Sequence, residues 1–235
     1  MIRVRPSEQR GHANHGWLRA KHSFSFADYY DPAEMGWGVL RVINEDRIAP
    51  GMGFGMHGHR DMEIVTYILS GSLEHKDSLG NGGVIRRGEV QRMTAGKGIL
   101  HSEFNPSPDE ETHLLQIWIE PAQRGTRASY EQQPLAVDEM RGRWRLVASP
   151  DGAEGSTTIG QDARLWASHL AVGQPLDYAL QPGRLAYVQV VSGRLAVNGI
   201  ALSAGDGARI AEESSLHFAA TEEAEILLFD LPPHA

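Results

Sequence analysis

Two short phrases in the sequence hold residues able to bind a metal: "MHGHRDME", residues 56–63, and "ILHSEFN", residues 99–105. The first sets His57 and His59 one residue apart, with Glu63 four residues beyond His59. The second sets Glu103 two residues after His101. In an extended strand, residues i and i+2 project to the same face. His57 and His59 are therefore predicted to point together, Glu63 shares their parity, and His101 stands beside Glu103. Two such pairs on neighbouring strands would present three imidazoles and a carboxylate to one point. These donors suit iron, nickel, copper, cobalt or zinc better than calcium or magnesium. Three or four protein ligands on an octahedral ion leave positions open for small molecules. His-X-His alone reads more simply as two residues lining a strand; the second phrase and the glycines before each phrase turn the balance towards a metal. "GMGFG" (51–55) and "AGKGI" (95–99) allow tight backbone turns into the two strands.

The elements that must position these residues are short strands. "GVLRVI", "EIVTYIL", "VQRMTA", "HLLQIWI", "WRLVAS", "YVQVV", "RLAVNG" and "EILLFDL" are rich in β-branched and aromatic residues, and the 26 glycines recur between them. Long periodic helices are missing from the pattern, so an all-β sandwich or barrel is expected. The 235 residues, 41% of them hydrophobic, suffice for one large or two smaller domains. Cysteine is absent, which excludes disulfides and thiolate chemistry. A net charge of −8 without a Lys/Arg run argues against nucleic acid. No apolar h-region opens the chain, and no apolar run approaches the roughly 20 residues of a membrane helix. A cytoplasmic protein with no membrane partner is the expectation.

A weak internal repeat divides the chain. "TYILSGSLEH" (66–75) matches "VQVVSGRLAV" (188–197), each a strand, Ser-Gly, then a second strand. Turn glycines Gly88 and Gly205 follow, then "ILH" at His101 and "SLH" at His217. Two β-barrel halves are expected, residues 1–130 and 131–235, joined by the Pro/Gly-containing, polar stretch at 121–140. Counting back from Gly193 by the offsets that separate His57, His59 and Glu63 from Gly71 reaches Ala179, Gln181 and Leu185. His217 has Ala219 at i+2. The second half is therefore expected to bind no metal, with His217 in a buried hydrogen bond. Among other residues, His12, His15 and His22 read as structural hydrogen-bonding groups rather than a pocket mouth, and His75, His113, His169 and His234 carry no motif. Trp17, Phe24, Phe26 and Trp118 read as core; Phe54 and Met56 flank the first histidine and are candidates to line a pocket.

"GMGFGMHGHRDME" resembles the first cupin motif and "GKGILHSEFN" the second, ending at Asn105. Gly71 comes one residue late for that pattern, and Gly96 stands where proline is usual. "GHANHGWL" (11–18), "HSFSFADYYDP" (22–32), "DMEIVTYILSG", "MTAGKGILHSE" and the terminal "LLFDLPP" together resemble the pirin family, and bacterial pirin-like quercetinases in particular. The resemblance implies a bicupin of two double-stranded β-helix (jelly-roll) domains. It also implies a ligand set of His57, His59, His101 and Glu103, with Glu63 next to the ligands rather than among them. Parity alone admits either glutamate. The implied cofactor is one divalent transition metal ion per chain, Fe(II) first, with Ni, Co, Cu, Mn or Zn as alternatives. The implied activity is a quercetin 2,3-dioxygenase acting on a flavonol and O2, with Glu103 or Glu63 taking the substrate's hydroxyl proton. The alternative within the family is a metal- or redox-sensitive regulatory protein, with a protein partner that no residue here names.

Overall fold

A computed structural model describes residues 1–233, so His234 lies outside the described residues. Among the described residues every regular element is a β-strand apart from three short 3-10 turns, Ser7–Gln9, Val137–Met140 and Ala153–Gly155. No helix is long and apolar enough to cross a membrane. The all-β expectation holds.

The chain separates into two compact units, one of Gly11–Leu135 with Thr157–Gln161, the other of Met1–Arg10, Ala136–Ser156 and the chain from Asp162. Chain order is thus not followed strictly: the first ten residues belong with the second half, and a five-residue segment returns to the first.

In the first unit the larger sheet runs Ser129–Pro134, Glu89–Thr94, Glu63–Ser70, Thr112–Ile119, Leu40–Ile48, Leu18–His22, Gly11–Asn14. The smaller runs Gly53–His59, Ile99–Phe104, Ser72–Asp77, Gly82–Arg86. All these pairings are antiparallel. Ile48, Ile68 and Leu114 of the larger sheet pack on Leu73 and Ile85 of the smaller, forming the sandwich core. "EIVTYILS" is buried on both faces for its first six residues, so its sequence does not alternate apolar with polar, and Glu63 and Thr66 are buried with it. "ILHSEF" alternates buried and less buried residues because one face of the smaller sheet meets solvent. The stretch expected as a linker contributes an edge strand, Ser129–Pro134, and its proline sits at that strand's end, where a missing N–H does least harm.

The second unit repeats the plan. Its larger sheet contains, in order, Ile2–Arg5, Gly207–Ile210, Leu185–Ser192, Ala224–Leu231, Arg164–Leu170 and Arg145–Ser149. Its smaller sheet runs Pro175–Ala179, Ser215–Ala220, Arg194–Val197, Ile200–Ser203. The Ser-Gly of the sequence repeat falls at the same place in both, between a central strand of the larger sheet and a strand of the smaller.

There the backbone must take a left-handed conformation, with φ of 74° at Gly71 and 75° at Gly193. A Cβ at Gly71 would sit 2.8 Å from the Glu111 carbonyl oxygen, and one at Gly193 would collide with the Glu223 carbonyl. Gly173 has a similar φ of 73° but open space around it. Alanine at 71 or 193 is expected to cost about 1–3 kcal/mol, from strain and collision together. Alanine at 173 meets the strain alone and should cost less. Urea unfolding midpoints of the three variants check this; equal losses at all three would show that the close approach is unimportant.

Candidate metal centre

Three neighbouring strands of the smaller first-unit sheet each carry a pair of polar residues at i and i+2: His57/His59, His101/Glu103 and His75/Asp77. The register sets them side by side. His101 lies opposite His57 on one flank and opposite Asp77 on the other, and Glu103 lies opposite His75. The ladder slips between His101 and Glu103, because Glu103 pairs with Phe54 rather than with Gly55. This bulge places an extra residue in the Gly53–His59 strand and re-aims His57. A side chain at Gly53 would run into the Glu103 carbonyl, so glycine is required where the two strands close up.

The three imidazoles converge by their Nε2 atoms. His101 Nε2 is 2.9 Å from His59 Nε2 and 3.0 Å from His57 Nε2. An ion bound by nitrogens at about 2.0–2.1 Å separates two ligands at right angles by roughly 2.9–3.0 Å, so these spacings match cis edges of an octahedron. His57 Nδ1 donates to the Gly55 carbonyl at 2.8 Å, which leaves its Nε2 as a lone pair. Burial first, and then the neighbouring imidazole of His57, pull His59 down to about 4. Burial, followed by His57, His59 and His75, pulls His101 down to about 2. Such rings stay neutral near pH 7, which is the form that binds a metal.

Glu103 is buried, and its two oxygens each accept from Gln116 Nε2 at 3.1 Å. Gln116 is fixed by the Thr66 hydroxyl, which donates to its Oε1 at 2.8 Å. Burial raises Glu103 to about 7, and burial with the charge of Glu103 raises Asp46 to about 7 as well. Buried carboxyl groups beside imidazole nitrogens that approach at 2.9–3.0 Å form a donor set that a divalent transition ion fits in both charge and donor type. Among the described residues, the groups of three potential ligands with donor atoms within 4.8 Å are His57–His59–His101 and His75–His101–Glu103. Glu103 thus lies against His101 from the side of His75.

Glu63 does not join them. Strand parity fails here because the chain turns a corner at Asp61, whose φ is 50° and whose N–H donates to the Gly96 carbonyl at 2.8 Å. Glu63 therefore opens a strand of the larger sheet, where it accepts from Thr94 Oγ1 at 2.7 Å and lies against Gly160. Burial raises its pKa, and the Thr94 bond and Arg92 oppose the rise. The same corner explains Gly96, whose φ of 50° no proline can adopt.

A cavity of about 440 Å³ is lined by His22, Phe26, Tyr29, Asn44, Asp46 and Phe54, among others. Phe54 faces His57 at 6.3 Å between ring centroids, and Trp118 meets His59 edge to face at 4.9 Å. Phe24 is fully buried, and Phe26 and Trp17 pack edge-on against Trp118 and Phe54. Met56 is 59% exposed and does not line this cavity. His22 is a buried hydrogen-bonding residue, 2.7 Å from Asn44 Oδ1, whereas His12 and His15 stand exposed at the rim of the cavity. His113 pairs with Glu45 at 2.9 Å and His169 with Glu223 at 3.7 Å.

In the second unit the sequence offsets mislead by one residue. His101 faces inward, but His217 faces outward and is exposed, 2.6 Å from Asp177, so it makes no buried hydrogen bond. Ala179 and Gln181 are exposed too. The cross-strand positions that match the inward imidazoles hold Leu176 opposite Phe218 and Tyr178 opposite Leu216. These side chains pack into the apolar core of that unit. His75, which lacks any local phrase, is the residue that sequence reasoning missed. The available signal was its i+2 Asp77, the third pair of the ladder.

Comparison with known proteins agrees with this geometry. The family described as Pirin matches residues 3–119, and the quercetinase C-terminal cupin domain matches residues 146–231. A protein named quercetin 2,3-dioxygenase from Escherichia coli (strain K12) is 47% identical over 233 residues, covering 99% of this chain and 100% of its own. A pirin-like protein from Caulobacter vibrioides is 45% identical, covering 98% and 99%. The crystal structure of the bacterial pirin YhhW from Escherichia coli, in complex with nickel(II), superposes with a TM-score of 0.95 at 47% identity, covering 99% and 100%. With two cupin domains, a cluster of histidines fit for a metal and relatives of this closeness along its whole length, the chain belongs to the pirin family.

Proposed function

We propose that the chain is a metal-dependent dioxygenase that opens the heterocycle of quercetin or a related flavonol with O2 and releases carbon monoxide. The observation that carries this reading is the approach of His101 Nε2 to His59 Nε2 at 2.9 Å and to His57 Nε2 at 3.0 Å, next to the rings of Phe54 and Trp118. The family supports it, since the Escherichia coli relative carries the quercetin 2,3-dioxygenase name. His57, His59 and His101 would hold the ion, and Glu103, which lies within reach of His101 but outside the three-histidine group, would have to turn towards it to serve as the fourth ligand. A bound divalent transition metal supplies a Lewis acid that lowers the pKa of a chelating hydroxyl. Fe(II) heads the candidates, and nickel is next because YhhW binds it.

The chain's own residues then have distinct tasks. Phe54 and Trp118 flank the imidazoles and suit a flat phenolic ring, which they would cover and shield from water. Glu103, held by Gln116, would be the carboxylate that takes the substrate's hydroxyl proton. The cavity volume lies within the range of about 300–1,000 Å³ typical of small-molecule sites. Oxygen uptake with quercetin by metal-loaded protein is the deciding assay. Turnover supports the dioxygenase; a full metal complement with no turnover of any flavonol would favour a metal-sensing role.

Replacing His57, His59 or His101 with alanine is expected to remove most bound metal and all turnover, because each supplies one of very few donors. Normal metal content in His59→Ala would sink the assignment. Glu103→Gln should weaken metal retention, whereas Glu63→Gln should leave the metal in place, given the distance its corner imposes. Metal analysis should give one ion per chain, unchanged in His217→Ala.

Trp118 offers an independent readout. Its ring touches His59, so Ni(II) or Cu(II) binding should quench tryptophan emission, and Trp118→Phe should remove most of the quenching. Undiminished quenching in Trp118→Phe would place the ion elsewhere.

A further inference from the structure

Behind His101, on the side away from His57 and His59, lies a buried polar chain that the proposed chemistry does not use. His101 Nδ1 is 3.4 Å from His75 Nδ1. His75 Nε2 is 3.2 Å from Asp77 Oδ2, and neither side chain has accessible surface. The Gln91 amide reaches the same His75 Nδ1 at 3.2 Å, and Tyr130 stacks on the His75 ring at 4.7 Å and 27°.

For a neutral His75 ring, with Gln91 donating through its Nε2, donor and acceptor bookkeeping leaves one assignment. A carboxylate only accepts, so His75 must carry its proton on Nε2 and donate to Asp77. Its Nδ1 is then a lone pair, which accepts from Gln91 and from His101. His101 therefore carries its proton on Nδ1, and its Nε2 is bare where it meets His57 and His59. We propose that His75 and Asp77 are positioning residues that lock His101 in the tautomer and ring orientation needed to bind the metal. This rests on the reading of His101 as a ligand. A metal-bound histidine commonly donates its other N–H to a carboxylate or carbonyl. Here that role passes through a second imidazole.

Asp77 is itself held by the turn that follows it. Its Oδ1 accepts from the backbone N–H groups of Leu79 at 2.9 Å and Asn81 at 3.0 Å. Its Oδ2 accepts from Asn81 Nδ2 at 3.0 Å. The turn is tied in its turn to the strand of His101: Ser78 N–H donates to the Leu100 carbonyl at 2.8 Å, and the Leu100 N–H donates to Ser78 Oγ at 3.1 Å. The anchor and the ligand thus move together. His75, His101 and Glu103 also have donor atoms within 4.8 Å. With His75 enclosed and its Nδ1 already accepting from Gln91, that trio serves as support for His101 rather than a second ion site.

The informative variant is Asp77→Asn. The amide keeps an oxygen for the backbone N–H groups of Leu79 and Asn81 but turns an NH2 group towards His75 and towards the Asn81 side chain, whose amide must turn its own oxygen to meet it. His75 must then accept at Nε2 and donate from Nδ1, which confronts the Nδ1–H of His101. The conflict is relieved when the His101 proton moves to Nε2, the position that must be bare for metal. Two measurements test this. Long-range 1H–15N spectra of metal-free wild type should show the His75 proton on Nε2 and the His101 proton on Nδ1; in Asp77→Asn both should switch. Ni(II) affinity, measured against a chromophoric chelator, should fall about 10–100-fold in Asp77→Asn, with one ion per chain in wild type. Wild-type affinity in folded Asp77→Asn, a His75 proton on Nδ1 in wild type, or a second Ni(II) lost with His75 would each overturn the proposal. If Asp77→Asn does not fold, the wild-type spectrum decides alone. His101→Ala separates the layers: if it keeps full Ni(II) affinity, the ligand reading fails; if it loses Ni(II) while Asp77→Asn does not, only the positioning role fails.

Discussion

Imidazole nitrogens brought to within about 3 Å of one another repel unless a proton or a cation lies between them. In this protein the strand register forces that situation. His57 and His101 are cross-strand partners, His59 is two residues along the same face, and His101 Nε2 lies at hydrogen-bond distance from the Nε2 of each. Protonating a ring would relieve the repulsion, yet burial and the neighbouring rings drive His59 and His101 the other way. The bulge at Gly55, the glycine contact at Gly53 and the hydrogen bond from His57 to Gly55 all serve to hold a geometry that a cation would stabilise. The buried carboxylates follow the same logic. Burial raises the cost of ionising both Asp46 and Glu103, the charge of Glu103 raises that of Asp46 further, and a nearby cation would lower it.

What was legible in the sequence is what depends on strand periodicity. His57 with His59, and His101 with Glu103, share faces because two-residue spacing is a property of any strand. The Ser-Gly repeat located two equivalent hairpins because only glycine suits the left-handed backbone beside a carbonyl. Where the reading failed, the chain had left the strand. Glu63 has the right parity, but the corner at Asp61 moves it into the other sheet. His217 has the right phrase, but a register offset of one turns it outward, since a one-residue shift exchanges the faces of a strand. His75 was invisible for a different reason: its importance comes from a cross-strand neighbour 26 residues away, and no local spacing encodes strand pairing.

The two units show how little separates a site from a core. Both place a smaller four-stranded sheet over a larger one, and both present inward positions on the two strands that face each other. In the first unit those positions are imidazoles bounded by polar support. In the second they are Leu176, Tyr178, Leu216 and Phe218, which join one continuous apolar cluster. Burying such side chains is worth about 1.5–3 kcal/mol each, so the second unit gains from the positions at which the first incurs desolvation.

That asymmetry bears on how the first unit stays ordered. Its site breaks the local rules for a stable core: buried carboxylates, converging acceptors and an edge strand, Gly53–His59, that carries two of the three imidazoles. An edge strand has a partner on one side only, so its position depends on the strand it pairs with. That partner, Ile99–Phe104, is fixed from its far side by Ser72–Asp77 and by the turn that Asp77 holds. Order therefore propagates inward from the Asp77 turn, through the central strand, to the edge. A metal ion bound between the edge and central strands would add a cross-link where the sheet is weakest, so binding and local ordering are coupled there. The constraint that makes this edge hard to stabilise is also the one that leaves its outer flank unpaired beside the imidazoles.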